Sequence, residues 1–128
     1  MVAEITRKAA RANLSNVVGV VQDFVAKGSG LPDAKAGRAM LFNILHIENP
    51  LALLCEAYRI LTPGGEVAII HWRSDIETPR GPSLPIRPTA EKCREWGEQA
   101  GFEFVRYEAL CCCSYHWGLV MRRPASNT

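Results

Sequence analysis

The segment from Leu53 to Trp72 constrains the fold of this chain most strongly. Apolar residues first recur at helical spacing, at positions 53, 54, 57, 58 and 61. Pro63-Gly64-Gly65 then interrupts the pattern, and the apolar run Val67–Ile70 that follows is too continuous for a strand with one wet face. A helix, a glycine-rich turn and a buried strand in this order form half of a parallel α/β unit.

Patterns elsewhere predict one domain over residues 1–124, followed by a polar tail at 125–128. Helices are predicted over 2–12, from Asn49-Pro50 to about Leu61, and over 89–100, where Thr89 is the cap and Gly101 ends the helix. Strands are predicted over 17–21, 39–45, 66–72, 102–110 and 115–121, with a loop rich in Pro and Arg over 74–88. This order predicts an α/β mixed sheet with helices on both faces and an antiparallel C-terminal hairpin.

Composition excludes several classes of protein. The 128 residues carry a formal net charge of +2 with scattered basic residues, unlike the strongly basic footprint of a nucleic-acid binder. No apolar run reaches the roughly 18–20 residues that span a bilayer, and the N-terminus lacks the apolar region of a signal peptide. We therefore expect a cytoplasmic protein that binds neither nucleic acid nor membrane.

The five cysteines do not indicate a disulfide framework, because their number is odd and three are consecutive, at 111–113. Together with His116 these three invite comparison with a zinc site. Structural zinc sites space their ligands by two or more residues, and neighbouring side chains in a strand point to opposite faces. We therefore expect no metal site here.

Four segments, in order, resemble class I S-adenosylmethionine-dependent methyltransferases: Gln22-Asp23-Phe24, Phe42-Asn43-Ile44-Leu45-His46, Leu61-Thr62-Pro63-Gly64-Gly65 and Gln99-Ala100-Gly101-Phe102. The resemblance extends from about Val2 to Arg123 and implies that the five predicted strands are the third to seventh of the family's sheet. The family's first strand with its G-x-G-x-G loop, and its second strand with its acidic residue, have no counterpart in these 128 residues. The resemblance thus implies an N-terminally truncated methyltransferase with a Rossmann-like sheet that lacks its first two strands.

The resemblance also implies which residues bind the methyl donor. Asp23 would bind the exocyclic amine of adenine and Phe24 would pack on the ring, while Phe42 and Asn43 would line the donor pocket. The alternative for Asp23 is a purely structural role as a cap of a turn.

Residues at the carboxyl ends of the later strands are candidates for catalysis and acceptor binding. His46 and His71 are candidate general bases, because the pKa of histidine lies near neutral pH. Arg73, Arg80 and Arg87 are candidates for binding an anionic acceptor through their guanidinium groups. The alternatives are packed histidines and solvated surface arginines.

The implied function is transfer of a methyl group from S-adenosylmethionine to a small molecule, impaired or absent in this chain alone because the glycine-rich loop is missing. Two alternatives stay open: a non-catalytic, self-associating binding module, and one part of a split methyltransferase. Loss of two central strands bares the edge of the strand over 39–45, which then pairs with the strand over 17–21 or with another chain. We expect a homodimer formed through this edge or by exchanged elements.

Overall fold

The computed structural model describes residues 1–125, which fall into two compact units divided after Gly30. The first unit contains helix α1 (Val2–Arg11) and the one-turn helix α2 (Phe24–Lys27). α1 confirms the first predicted helix. The predicted polar tail lies outside the described residues except for Ala125.

The prediction of a strand over 17–21 is wrong, because these residues form neither strand nor helix. Val18, Val20 and Val21 are 82%, 64% and 84% exposed. A β-branched run forms a stable strand when neighbouring strands pair with it and bury one of its faces. Residues 1–30 contain no strand that could pair with this run.

The second unit carries the sheet. Its elements are β1 (Ala36–Phe42), α3 (Pro50–Ile60), β2 (Leu61–Trp72), a short 3-10 helix (Leu84–Ile86), α4 (Ala90–Ala100), β3 (Glu103–Glu108) and β4 (His116–Arg122). The strand order is β1-β2-β4-β3, with β1 parallel to β2 and β4 antiparallel to both of its neighbours. The predicted mixed sheet with a C-terminal antiparallel hairpin is confirmed.

Among the strand boundaries that differ from the prediction, two have clear local causes. β1 ends at Phe42 because Asn43 adopts a positive φ of 56° and turns the chain out of the strand. β2 begins at Leu61 because the glycine-rich segment is absorbed as an irregularity, so that Ala36 lies opposite Leu61 and Arg38 opposite Glu66.

The core lies on one face of the sheet. Alternation along β2 buries Val67, Ile69 and His71 on this face, and α3 and α4 contact each other while packing on the strands. The ends of α4 follow the predicted capping chemistry. The Thr89 side chain accepts a hydrogen bond from the backbone of the first turn, and Gly101 follows the helix at a φ of 110°.

Helix α4 approaches β4 unusually closely at Gly97. A Cβ atom at this position would lie 2.9 Å from the methyl carbon of Met121 and closer still to its sulfur. The Met121 side chain is fully buried, so a residue without a side chain allows the helix to pack at this distance.

Candidate functional site

Several candidate residues meet at one edge of the sheet. Asn43 and His46 follow the carboxyl end of β1, and His71 and Trp72 end the adjacent parallel strand β2. β4 begins at the same edge, because its first residue, His116, pairs with Trp72. Open α/β sheets bind ligands beyond the carboxyl ends of their parallel strands, so this edge is the candidate site.

The structure brings the two predicted catalytic histidines together. His46 Nδ1 lies 3.1 Å from His71 Nε2, and His71 Nδ1 lies 3.2 Å from the carbonyl oxygen of Trp72. His71 has no exposed surface. Burial lowers the pKa of His71, and charge on His46, Arg87 and His116 acts in the same direction, so the His71 ring is neutral at pH 7.

These contacts fix the tautomer of both rings. The Trp72 carbonyl only accepts hydrogen bonds, so His71 Nδ1 must carry the proton and donate to it. Neutral His71 then has an unprotonated Nε2, which accepts a hydrogen bond from His46 Nδ1. In the neutral form of the His46 ring, Nε2 then carries the lone pair that a general base requires.

We expect His46 and His71 both to carry their ring proton on Nδ1 at pH 7.5. Long-range ¹H–¹⁵N spectra of the ring nitrogens measure this directly. His116 provides a comparison in the same spectra: its Nδ1 lies 2.7 Å from the sulfur of Cys113, and a thiol that donates to Nδ1 would leave the ring proton on Nε2. A His71 ring protonated on Nε2 would contradict the arrangement.

A second feature of this edge, which was not predicted from the sequence, is a pair of His-Trp dipeptides that face each other across β2 and β4. In the antiparallel register His71 lies opposite Trp117 and Trp72 opposite His116. The ring centroids are 6.2 Å apart in the first pair and 4.1 Å apart in the second. Directly opposed residues point to the same face, so each face of the sheet carries one His-Trp pair. The repeated dipeptide at the end of one strand and the start of the next was the signal in the sequence.

Two buried polar atoms at this edge have no hydrogen-bond partner among the described residues: the side-chain oxygen of Asn43 and the indole nitrogen of Trp117. An unsatisfied buried polar atom costs about 1–3 kcal/mol. Phe42, the residue before Asn43, is 47% exposed. A ligand that donates a hydrogen bond to Asn43 and stacks on Phe42 would remove part of this cost.

The three predicted acceptor-binding arginines have different surroundings. Arg73 donates to both carboxylate oxygens of Asp75, at 2.9 and 2.7 Å, and to the Ser114 carbonyl at 3.1 Å. The Arg80 side chain is at the surface. Arg87 is only 8% exposed, and its guanidinium donates to the backbone carbonyls of Pro82, Arg73 and Arg80. These three hydrogen bonds of Arg87 hold the proline-rich loop together.

The remaining predicted donor-binding residues, Asp23 and Phe24, lie in the first unit. The Asp23 side chain accepts a hydrogen bond from the Ala26 backbone N–H at 3.1 Å and so caps α2. Phe24 is the first residue of that helix and is 39% exposed.

A cavity of about 460 Å³ opens at the candidate edge and is lined by Arg73, His116 and Trp117, among others. Over residues 1–125, no three His, Cys, Asp or Glu side chains are grouped closely enough to hold a metal ion. In the same range, every helix is too short or too polar to cross a membrane.

No family model matches the chain, and no curated protein sequence matches it. Several solved structures do. An S-adenosylmethionine-dependent methyltransferase from Aquifex aeolicus matches with a TM-score of 0.80 and 23% identity, over 95% of this chain and 63% of that one. A Sulfolobus solfataricus protein named as a type 11 methyltransferase matches with a TM-score of 0.69 and 25% identity, over 100% of this chain and 70% of that one.

The [4+2]-cyclase SpnF also matches, with a TM-score of 0.78 and 19% identity, over 98% of this chain and 63% of its own length. The shared architecture therefore occurs in proteins whose names indicate different reactions. This chain has the fold of class I S-adenosylmethionine-dependent methyltransferases and spans 63% of the length of the Aquifex aeolicus enzyme.

Proposed function

We propose that this chain is an S-adenosylmethionine-dependent methyltransferase-like protein with a small-molecule acceptor. The observation that carries the proposal is the His46–His71 pair, held at the carboxyl edge of a sheet with the methyltransferase fold. The pair supplies a base with a defined tautomer where this class of fold binds its ligands.

The residues of the second unit fit the adenine end of the methyl donor. The exocyclic amine of adenine donates hydrogen bonds, and the buried Asn43 oxygen has no donor among residues 1–125. Phe42, the preceding residue at the same strand end, is half-exposed and offers an aromatic ring. When bound, S-adenosylmethionine supplies an electrophilic methyl group.

The described residues do not fit the ribose and methionine end. A glycine-rich turn between a strand and a helix lets the backbone approach such a ligand. Gly64 and Gly65 lie within β2, and the loop that contains Gly28 and Gly30 leads to β1 rather than to a helix. We therefore propose that these 128 residues alone bind the donor incompletely and are impaired or inactive without further contacts.

The base acts on the acceptor. His46 Nε2 accepts the proton of an acceptor hydroxyl or amine, while His71 keeps the ring oriented through its neutral Nε2. Arg73, Arg80 and Arg87 remain the proposed contacts for a negatively charged acceptor. The Arg80 side chain is exposed, whereas the other two guanidinium groups already donate hydrogen bonds within the protein. Catalysis of this kind depends mainly on the positioning of donor and acceptor. The general base accelerates the reaction by about 10²–10⁴-fold.

The coverage of the Aquifex aeolicus enzyme favours a second candidate, in which the chain is one part of a methyltransferase completed by another polypeptide. A non-catalytic, self-associating module is the third. Within the second unit, β1 has a hydrogen-bonded neighbour, β2, on one side only, and Met40 is 71% exposed. We propose that this edge pairs with a second copy to form a homodimer.

Isothermal titration of the chain with adenosine and with S-adenosylhomocysteine tests the donor site. We expect the two affinities to agree within about threefold, less than 1 kcal/mol, because only the adenine end is recognised. Asn43→Ala should abolish binding, whereas Asn16→Ala, at an exposed position of the first unit, should not change it. Sedimentation of the same samples should give twice the chain mass of 14.2 kDa.

The outcomes separate the candidates. Much tighter binding of S-adenosylhomocysteine would show a complete donor site and contradict the proposed impairment. Absence of heat with both ligands would favour the non-catalytic module. Methyl transfer that appears only after a second chain with a glycine-rich strand is added would favour the split enzyme, and a monomer mass would contradict the homodimer.

A further inference from the structure

A thiol and an imidazole lie in direct contact in the loop between β3 and β4. Cys113 Sγ is 2.7 Å from His116 Nδ1. The loop fixes this geometry, since the Cys113 backbone N–H donates to the Leu110 carbonyl at 3.0 Å and His116 begins β4. A nucleophile within hydrogen-bond reach of a base is the basic unit of covalent chemistry at cysteine.

The other cysteines have different surroundings in the described part of the chain. Cys93 is fully buried, and burial raises its pKa to about 12, so that its thiol is inert. Cys55, Cys111 and Cys112 are exposed. Within residues 1–125, Cys113 is the cysteine whose sulfur lies within hydrogen-bond distance of a ring nitrogen.

His116 is suited to accept the thiol proton. Burial lowers its pKa, and the positive charge of Arg87 acts in the same direction, so the ring is neutral at pH 7. The ring is held against Trp72, with centroids 4.1 Å apart. His116 also borders the cavity of about 460 Å³, whose other charged lining residues are Arg73, Asp75, Glu91 and Glu108. There is therefore room for a small reagent next to His116.

We propose that Cys113 and His116 form a nucleophilic thiol–imidazole pair, a covalent modification site for small disulfides and other soft electrophiles. The chemistry of this pair does not require a methyl donor. With a disulfide, His116 Nδ1 takes the thiol proton as Cys113 sulfur attacks one reagent sulfur. The sulfur–sulfur bond of the reagent breaks, a mixed disulfide forms on Cys113, and the other half of the reagent leaves as a thiolate. His116 then passes its proton to that thiolate where the thiolate is basic enough, and to water where it is not.

The experiment uses the full chain carrying Cys111→Ser and Cys112→Ser, which retains the thiols at positions 55, 93 and 113. The probe is 5,5′-dithiobis(2-nitrobenzoic acid), whose released thiolate is followed by absorbance, with the modified cysteine located by mass spectrometry. We expect Cys113 to react about tenfold or more faster than the exposed Cys55 at pH 7, because the Cys113 sulfur is in contact with an imidazole nitrogen.

Two variants of this protein test whether the fast reaction occurs at Cys113 and depends on His116. Cys113→Ser should remove the fast phase. His116→Phe keeps an aromatic ring beside Trp72 but has no nitrogen, and it should slow Cys113 to the rate of Cys55, a loss of about tenfold. Cys93 reports on folding in the same spectra, because it is modified only if the core opens.

A rate at Cys113 that is unchanged in His116→Phe, or no faster than that of Cys55, would overturn the proposal. If His116→Phe exposes Cys93, the variant is not properly folded. The proposal is then tested by the pH dependence of the modification rate of Cys113 in the protein with intact His116. The pair predicts that the rate at Cys113 rises less between about pH 7 and pH 8.5 than the rate at Cys55, because neutral His116 already assists Cys113 at pH 7. A rise at Cys113 as steep as that at Cys55, which behaves as an ordinary thiol, would contradict it.

Discussion

Replacement of Leu54 by alanine is expected to lower the free energy of unfolding by about 2–5 kcal/mol. Leu54 lies on the inner face of α3, has no exposed surface and belongs to the cluster that joins α3, α4 and the sheet. Removal of three carbon atoms forfeits their burial and leaves a cavity that a close-packed neighbourhood cannot fill. Urea unfolding followed by circular dichroism measures the change.

Leu31→Ala is the matched control, because it is the same chemical change at a side chain that is 44% exposed. Its expected cost is about 1 kcal/mol or less. Similar losses for the two variants would contradict the assignment of Leu54 to the tightly packed core.

Arg87→Met is expected to cost about 1.5–3 kcal/mol and to open the proline-rich loop to proteolysis. Methionine preserves the length and apolar character of the stem but supplies no donor. The carbonyls of Pro82, Arg73 and Arg80, which now accept from the guanidinium at 2.8, 3.0 and 3.3 Å, lose that partner. Urea unfolding measures the cost, and the rate of limited tryptic cleavage after Arg80 measures the opening of the loop.

Two further variants serve as comparisons for Arg87→Met. Arg87→Lys keeps the charge, but an ammonium group cannot reproduce the planar fork that reaches three carbonyls, so its loss should fall between those of the wild type and Arg87→Met. Arg80→Met makes the same change at an exposed side chain of the same loop and should stay within about 0.5 kcal/mol of the wild type. An Arg87→Met protein as stable as Arg80→Met would show that the three hydrogen bonds do not stabilise the loop.

Much of the fold could be predicted because the relevant signals are local. Helical spacing at Leu53 and Leu54 followed by Pro63-Gly64-Gly65 predicts α3 and β2 without reference to distant residues. Thr89 and Gly101 bracket α4 for equally local reasons. The strand predicted over 17–21 failed because pairing requires a partner, and the β-branched run carries no information about whether one is available.

The candidate site was predicted only in part, since it depends on contacts between distant segments. The sequence placed His46 and His71 at strand ends, but their 3.1 Å contact follows from the register of β1 on β2. Opposition of His116 to Trp72 likewise follows from the register of β4. Burial of Arg87 arises only when the loop folds around its guanidinium, which no local pattern reveals.

The close packing of α4 against β4 couples the residues that positions 97 and 121 can accept. A Cβ atom at residue 97 would require the end of the Met121 side chain to move. In a lineage that shares this packing, a larger residue at 97 therefore needs either a shift of that flexible side chain or a smaller residue at 121. The distance between one helix and one strand thus links the substitutions that the two positions tolerate.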